Sequence, residues 1–433
     1  MIMLTNKSVI QKINKRLGKK TLFYVCRYPE RARGLEDLLK NYKIIYSTPP
    51  QDTAEIIKNK KFSRGYLAVF KNNSKISRLC QEKKINLINP DWQLAEKYEN
   101  KISQYQWLKK IIFKNLPKTT IVIPKNANFK SLTSLLGNKF IAQFNRSHTG
   151  EGTFLISNKK DWKKIKKTFP QRQIKCVEII KGDPITINAC VWEKNILVGN
   201  PSYQITGRKD LTDFEFSTVG NDWSYADKLL SKKNKKEIER LTQKIGLAIA
   251  KEGWRGLFGL DFILNNKKLI VIEINARQPA STGLETIIQR KTGPGLTMLA
   301  AHFASLLKLP FPVGQNNQLQ KINCGGQIII RKKKNGSSDK VLDLKNKLNL
   351  IIARRGPVYG KIIKTDIQTK KINAEMGRIQ SFNQGFIKND KKWNEGKAGN
   401  WGRHENIKTL EHENMRTRKQ VKSQKSKVKI ENG

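Results

Sequence analysis

Apolar residues along this chain follow two alternating rhythms, and the alternation lays out its elements. Residues 21–26 (Thr-Leu-Phe-Tyr-Val-Cys) form a largely apolar run of strand length after a basic leader. Leu35, Leu38, Leu39 and Tyr42 then recur at i, i+3, i+4 and i+7, which predicts one face of a helix. Short runs at 43–46, 66–70 and 85–88 continue the pattern, so residues 1–96 are predicted to form a small parallel-sheet α/β domain. It contains no G-x-G-x-x-G, and no dinucleotide site is expected there. From Asn100 onward Tyr105, Leu108 and Ile112 share a helical face that closes near Leu116-Pro117. A strand over 139–144, a Gly-containing turn over 145–153, a strand over 154–157 and a basic helix over about 159–167 predict a lid subdomain spanning about 120–175.

Further strands are expected over 176–180, 185–192 and 196–199, separated by Gly-Asp-Pro and Glu-Lys-Asn turns. The polar stretch 201–224 offers Tyr203, Gln204, Arg208 and Asp210 as substrate-loop residues, with nothing in the spacing to choose among them. Ile238, Leu241, Ile245, Ala248 and Ile249 make an amphipathic helix closed by Gly253. Leu296, Leu299, Phe303, Leu306 and Leu307 make a second, stopped by Pro310 and Pro312, on which His302 reads as structural. β-rich runs over 321–380 predict a small C-terminal β module (313–387), and the polar, basic stretch 388–433 is expected to be a disordered tail.

One stretch is patterned differently from the rest. In Gly259-Leu-Asp-Phe-Ile-Leu-Asn-Asn-Lys-Lys-Leu-Ile-Val-Ile-Glu-Ile-Asn-Ala-Arg277, two apolar runs flank a polar tip, the mark of a β-hairpin. Asp261 interrupts the first run; Glu273 and Asn275 interrupt the second and, two apart, share a face. A three-residue loop at 266–268 would pair Ile263 with Val271 and set Asp261 opposite Glu273. A two-residue loop would put the two carboxylates on opposite faces. Side by side they repel and call for a cation. All-oxygen ligands suit Mg²⁺, with Mn²⁺ as the alternative ion.

Composition changes this picture little. The 433 residues carry a net charge of +50, which would ordinarily suggest a nucleic-acid partner. The excess is mostly Lys, accompanied by abundant Asn and Ile and spread from end to end, which fits an AT-rich codon bias better than a dedicated polyanion site. Cys26, Cys80, Cys176, Cys190 and Cys324 are scattered, with no C-x-x-C pair, and the four histidines show no metal-ligand spacing. No apolar h-region or eighteen-residue apolar stretch occurs, so no membrane partner is expected and a reducing, cytoplasmic setting is. A homodimer is entertained, without residues to carry it.

The order of the motifs is more telling than any one of them. Asn-Lys101 opens a helix ending at Pro-x-Thr; a glycine loop follows at His148 to Gly152; then Val-Glu178-Ile-Ile-x-Gly182, Gly-Leu-Asp261-Phe and Glu273-Ile-Asn275-Ala-Arg277. In this order the chain resembles the ATP-grasp superfamily over about residues 97–312. The resemblance implies an ATP-grasp fold of mixed α/β and α+β class, preceded by a pre-ATP-grasp α/β domain. By resemblance, Asp261, Glu273 and Asn275 would hold one or two Mg²⁺ ions bridging ATP phosphates, and Lys101 would neutralise phosphate. The loop with His148, Thr149, Gly150 and Gly152 would cover the nucleotide. Glu178 and the Ile180 backbone N–H would border adenine, and Asp183 would stand in weakly for an acidic ribose contact. Arg277 matches the arginine that lies near the acyl phosphate in biotin carboxylase-like and carbamoyl-phosphate-synthase-like members. The implied activity is ATP-dependent, ADP-forming ligation of a small carboxylate to an amine or another nucleophile. Such phosphoryl transfer depends on positioning and cations rather than a Ser/His/Asp set.

There is one departure in the lid. Where many members carry a lysine, this chain reads Phe140-Ile-Ala-Gln143, leaving Lys139 or Arg146 as candidate replacements. Two other readings compete. A biotin carboxylase-like carboxylase is disfavoured because Gln278-Pro279 directly follows Arg277 in place of the extended acidic continuation. A catalytically inert grasp domain in a basic nucleic-acid-binding protein is favoured by charge and Gln143 but opposed by the intact Asp261/Glu273/Asn275 set.

Overall fold

The computed structural model describes residues 2–46, 52–62, 65–146, 152–266, 268–312, 315–316, 318–334, 360–364, 375–382 and 386–387. The predicted strands at 341–344 and 350–353 and the tail from 388 lie outside these residues.

The first 96 residues build a three-stranded parallel sheet, ordered Tyr42–Tyr46, Thr21–Cys26, Gly65–Val69. Helices Asn6–Leu17, Thr53–Asn59 and Ser74–Glu82 cover it. The basic leader is a helix, Asn6–Leu17, capped by Thr5 and burying Val9, Ile10, Ile13 and Leu17. The helix expected from Leu35 to Tyr42 does not form. Leu35 and Leu39 are buried from a single turn closed by Leu39 N–H to Leu35 O (3.0 Å), and Tyr42 already belongs to the next strand. Gly34, at φ +122, precedes that turn in a conformation that breaks the helical path. The run at 85–88 makes only an isolated bridge, Leu87 to Leu67.

The centre is an antiparallel sheet of nine strands among the described residues. Its order is Lys268–Asn275, Gly256–Asn265, Asp183–Trp192, Ser202–Thr206, Thr218–Asp222, Gly326–Arg331, Glu375–Ser381, Gly360–Lys364, with Asn195–Val198 also on Asp183–Trp192. The C-terminal strands therefore extend the central sheet through Thr218–Asp222. Alternation sorts the long strand Asp183–Trp192 between two cores. Ile185, Ile187, Ala189 and Val191 meet the amphipathic helix Lys232–Lys251 through Ile238, Leu241, Ile245 and Ile249. Cys190 and Trp192 point the other way, into a core shared with helix Met298–Leu306 and the N-terminal helix. His302, on Met298–Leu306, accepts the Leu257 N–H at Nδ1 (3.1 Å), and burial pulls its pKa down to about 3. It is a structural histidine.

A separate four-stranded antiparallel sheet forms the lid, ordered Thr119–Val122, Ile174–Glu178, Phe140–Phe144, Thr153–Ile156. One face packs Phe140, Ala142, Phe144, Ile174 and Cys176 against helices Phe129–Leu136 and Lys159–Thr168 through Leu132, Leu136, Trp162 and Ile165. The opposite face, bearing Ile141, Gln143, Lys175 and Val177, is left for the rest of the molecule.

Candidate active site

The site is built on the hairpin Gly256–Asn265/Lys268–Asn275. Its loop is the two residues 266–267, since Asn265 pairs with Lys268 and Ile263 with Ile270. A regular ladder with that loop would send Asp261 and Glu273 to opposite faces. The ladder is not regular: pairing runs Phe262 to Val271 and then Asp261 to Glu273, leaving Ile272 as the extra residue of a β-bulge. The bulge absorbs the parity error. Leu260, Phe262, Val271 and Ile274 face the helix Lys232–Lys251, while Asp261, Glu273 and Asn275 lie together on the other face. The loop length expected from sequence was wrong, the Asp261–Glu273 pairing it was meant to produce is present, and the cause is the bulge.

Helix Lys101–Ile112 delivers the cation. Its first backbone N–H groups are taken by the end of the lid strand, Lys101 N–H to Asn145 O (3.0 Å) and Ile102 N–H to Asn145 Oδ1 (3.0 Å). That docking fixes Lys101, which is 7% exposed, with its Nζ 2.9 Å from Glu273 Oε2. Burial works to raise the Glu273 pKa, but Lys101 and Arg277 outweigh it and hold the carboxylate below its usual range. Asp261 goes the other way: burial, then the Glu273 charge, push it up to about 6. Asn275 Nδ2 donates to Asp261 Oδ2 (3.1 Å), and Arg277 donates to Asn275 Oδ1 (2.8 Å). Arg277 also pairs with Glu99, whose other oxygen meets Lys71 Nζ at 2.7 Å.

Asp261 Oδ1 is buried with no hydrogen-bond partner. An orphaned carboxylate oxygen beside a second carboxylate is what a hard cation would satisfy, and the donors here are all oxygen. Among the described residues no group of three His, Cys, Asp or Glu side chains could hold a metal. Two carboxylates and one amide oxygen, all hard donors, fit Mg²⁺, which keeps water and phosphate oxygens for its remaining positions.

The other predicted residues are placed less uniformly. His148, Thr149 and Gly150 lie outside the described residues. Gly152, at φ +79, accepts the Phe144 N–H at its carbonyl (3.0 Å) and so begins the return strand. Gln143 is on the lid face toward the helix Lys101–Ile112, with Nε2 3.5 Å from Thr153 Oγ1. Glu178 ends its strand tied to Lys118, accepting that residue's N–H (2.7 Å) and donating its own to the Lys118 carbonyl (3.0 Å). Ile180 is in the linker from the lid to the central sheet, and Asp183 opens the strand Asp183–Trp192 opposite Leu264. Gly182 makes that linker possible: a Cβ there would run into the Leu264 carbonyl and Ile263. Of the two candidate replacements for a lid lysine, Lys139 is exposed before the strand, and Arg146 pairs with Glu96 (2.9 Å) and Asn100.

Two charged neighbours of this wall were not singled out from the sequence. Glu99 gave no signal beyond being an acidic residue just before Asn100-Lys101. Lys175 did give one: it is a charge inside the otherwise apolar run 174–177, directly opposite Gln143.

A protein-family model described as an ATP-grasp domain matches residues 98–281. The fold matches solved structures of low identity. A carboxyaminoimidazole ribonucleotide synthase from Aspergillus clavatus, complexed with ATP, superposes with a TM-score of 0.60 at 14% identity, covering 83% of this chain and 93% of that one. An N5-carboxyaminoimidazole synthetase from Staphylococcus aureus, complexed with ADP, gives 0.59 at 13%, covering 83% and 92%. The biotin carboxylase domain of the Hydrogenobacter thermophilus 2-oxoglutarate carboxylase gives 0.56 at 13%, covering 86% and 83%. No curated protein matches the chain. Residues 98–281 are thus an ATP-grasp domain, and the chain has the ATP-grasp fold, with the N-terminal, lid and C-terminal β parts typical of it. No helix among the described residues is long and apolar enough to cross a membrane.

Proposed function

We propose that this protein is a Mg-ATP-dependent, ADP-forming ligase that activates a small carboxylate with the γ-phosphate of ATP and passes it to an amine or another nucleophile. One observation carries the reading: Lys101, Asp261, Glu273, Asn275 and Arg277 converge on one wall, where a carboxylate oxygen of Asp261 lacks any hydrogen-bond partner. Asp261, Glu273 and Asn275 would hold the metal, which neutralises phosphate charge when bound. Lys101 positions Glu273 and offers its remaining donors to phosphate. Arg277, aimed by Glu99, presents a fixed guanidinium to an anion forming beside the metal. The lid loop around His148–Gly152 covers the phosphates, and the purine lies along Glu178–Asp183, the linker between lid and wall. The domain limits 97–312 for the grasp unit and a cytoplasmic setting go with this reading.

The comparisons support it in kind. Similar folds were solved with ATP, with ADP and 5-aminoimidazole ribonucleotide, and with MgADP and bicarbonate. An acid as small as bicarbonate is therefore among the carboxylates to test. The experiment is a screen for ADP release with pooled carboxylates and amines, comparing wild type with Glu273→Gln. Release by wild type and its loss in the variant are expected. Equal release by both would remove Glu273 from the mechanism, and release that requires biotin with bicarbonate would favour the carboxylase instead.

A further inference from the structure

We infer that Lys175 supplies the phosphate-binding cation of the lid, doing from the neighbouring strand what Gln143 cannot do from its own. The inference rests on the ATP reading above and adds a residue to it. Gln143 and Lys175 are direct partners in the antiparallel pair Phe140–Phe144/Ile174–Glu178, so both side chains leave the sheet on the same face. That face turns away from the lid's own core and toward the helix Lys101–Ile112, where the Lys175 ammonium lies 5.7 Å from the Tyr105 ring centroid. An ammonium moved one strand sideways shifts by roughly the inter-strand spacing of about 5 Å, which a lysine stem spans.

Lys175 does not behave as a surface lysine. It is 5% exposed, so its charge is not carried out to solvent. Nor does it behave as a structural ion pair: among the described residues it has no carboxylate partner. Burial first, and then the charge of Lys101, draw its pKa down to about 8 against the pull of Glu273. Two ammonium groups thus share the field of one carboxylate at the cleft. Holding a second cation there is costly without an anion, and a triphosphate is the anion the site is built around. Lys139 and Arg146, the other candidates, are exposed or already paired.

The test is calorimetric titration with Mg²⁺ and a non-hydrolysable ATP analogue, using the full chain. Lys175→Gln is expected to weaken binding roughly 10- to 100-fold, as for loss of one charge-assisted contact. Adenosine binding should be unchanged. The exchange Gln143→Lys with Lys175→Gln should restore most of the loss, as should Lys175→Arg. A further readout separates this role from a structural one: without nucleotide, Lys175→Gln should melt at or above the wild-type temperature, because it removes an uncompensated buried charge. Should Lys175→Gln not fold, Lys175→Met takes its place. Wild-type affinity in the variant, or a lower melting temperature without nucleotide that accounts for the loss, overturns the inference while leaving the ATP reading standing. Failure of the wild type to bind the analogue overturns the ATP reading itself.

Discussion

Removing the Glu273 carboxylate should destabilise the protein through the lysine it leaves behind. In Glu273→Gln the Lys101 ammonium, 7% exposed and 2.9 Å from the lost oxygen, faces a neutral amide. Breaking a buried pair from one side costs about 3–5 kcal/mol. Two features reduce that figure here: the Glu273 side chain is 28% exposed, and its removal relieves the repulsion that raises Asp261. A net loss of about 2 kcal/mol follows, with most of a typical domain stability of about 5–15 kcal/mol retained. The double variant Lys101→Met/Glu273→Gln removes both charges and should recover at least half of the loss. Urea unfolding followed by tryptophan fluorescence, with equal m-values across the set, measures the cycle. Wild-type stability in Glu273→Gln, or a double variant weaker than the single, would refute the claim that Lys101 is held as a buried pair.

Three further outcomes are expected. Deleting Ile272 removes the bulge but keeps Phe262 opposite Val271 and Asp261 opposite Glu273, so the variant should fold and retain Mg-nucleotide binding. Deleting Ile270 instead should abolish soluble expression or binding, because it turns Leu269 and its neighbours out of the core; equal behaviour of the two deletions contradicts the register argument. Glu285 is fully buried, accepts from Asn188 (2.6 Å) and Asn200 N–H (3.0 Å), and is pushed by burial from 4.5 to about 7. A carboxyl raised on folding contributes stability that is complete below pH 4.5 and lost as pH rises through 7. The wild-type-minus-Glu285→Gln difference should therefore fall by on the order of 3 kcal/mol between pH 4.5 and 8; a flat difference would show that Glu285 does not titrate in this way.

The hairpin at 256–275 shows how far the sequence could be read. Its polar exceptions marked Asp261, Glu273 and Asn275 because carboxylates in apolar strands need a reason. The bulge at Ile272 was not legible, since that residue is as apolar as its neighbours and only the pairing partner reveals it as extra. The helix expected at Leu35–Tyr42 failed because its spacing also fits one buried turn followed by a strand, and the helix Asn6–Leu17 was masked by the lysines between its apolar positions. The order of motifs identified the grasp unit, but electrostatic partners came from tertiary packing. Glu99 meets Arg277 across 178 positions, and Lys175 faces Gln143 only because Ile174–Glu178 pairs with Phe140–Phe144. The orphaned Asp261 oxygen likewise becomes visible only when its surroundings are closed.

The Asp261/Glu273/Asn275 wall is expected to bind nucleotide through a divalent cation. The most direct measurement is titration of a non-hydrolysable ATP analogue into the protein with Mg²⁺, with Mn²⁺ and with EDTA, for wild type and Asp261→Asn. Wild type should bind only with the metal present, and Asp261→Asn should lose binding with its fold intact. Metal-independent binding, or equal affinity in the two proteins, would contradict that expectation.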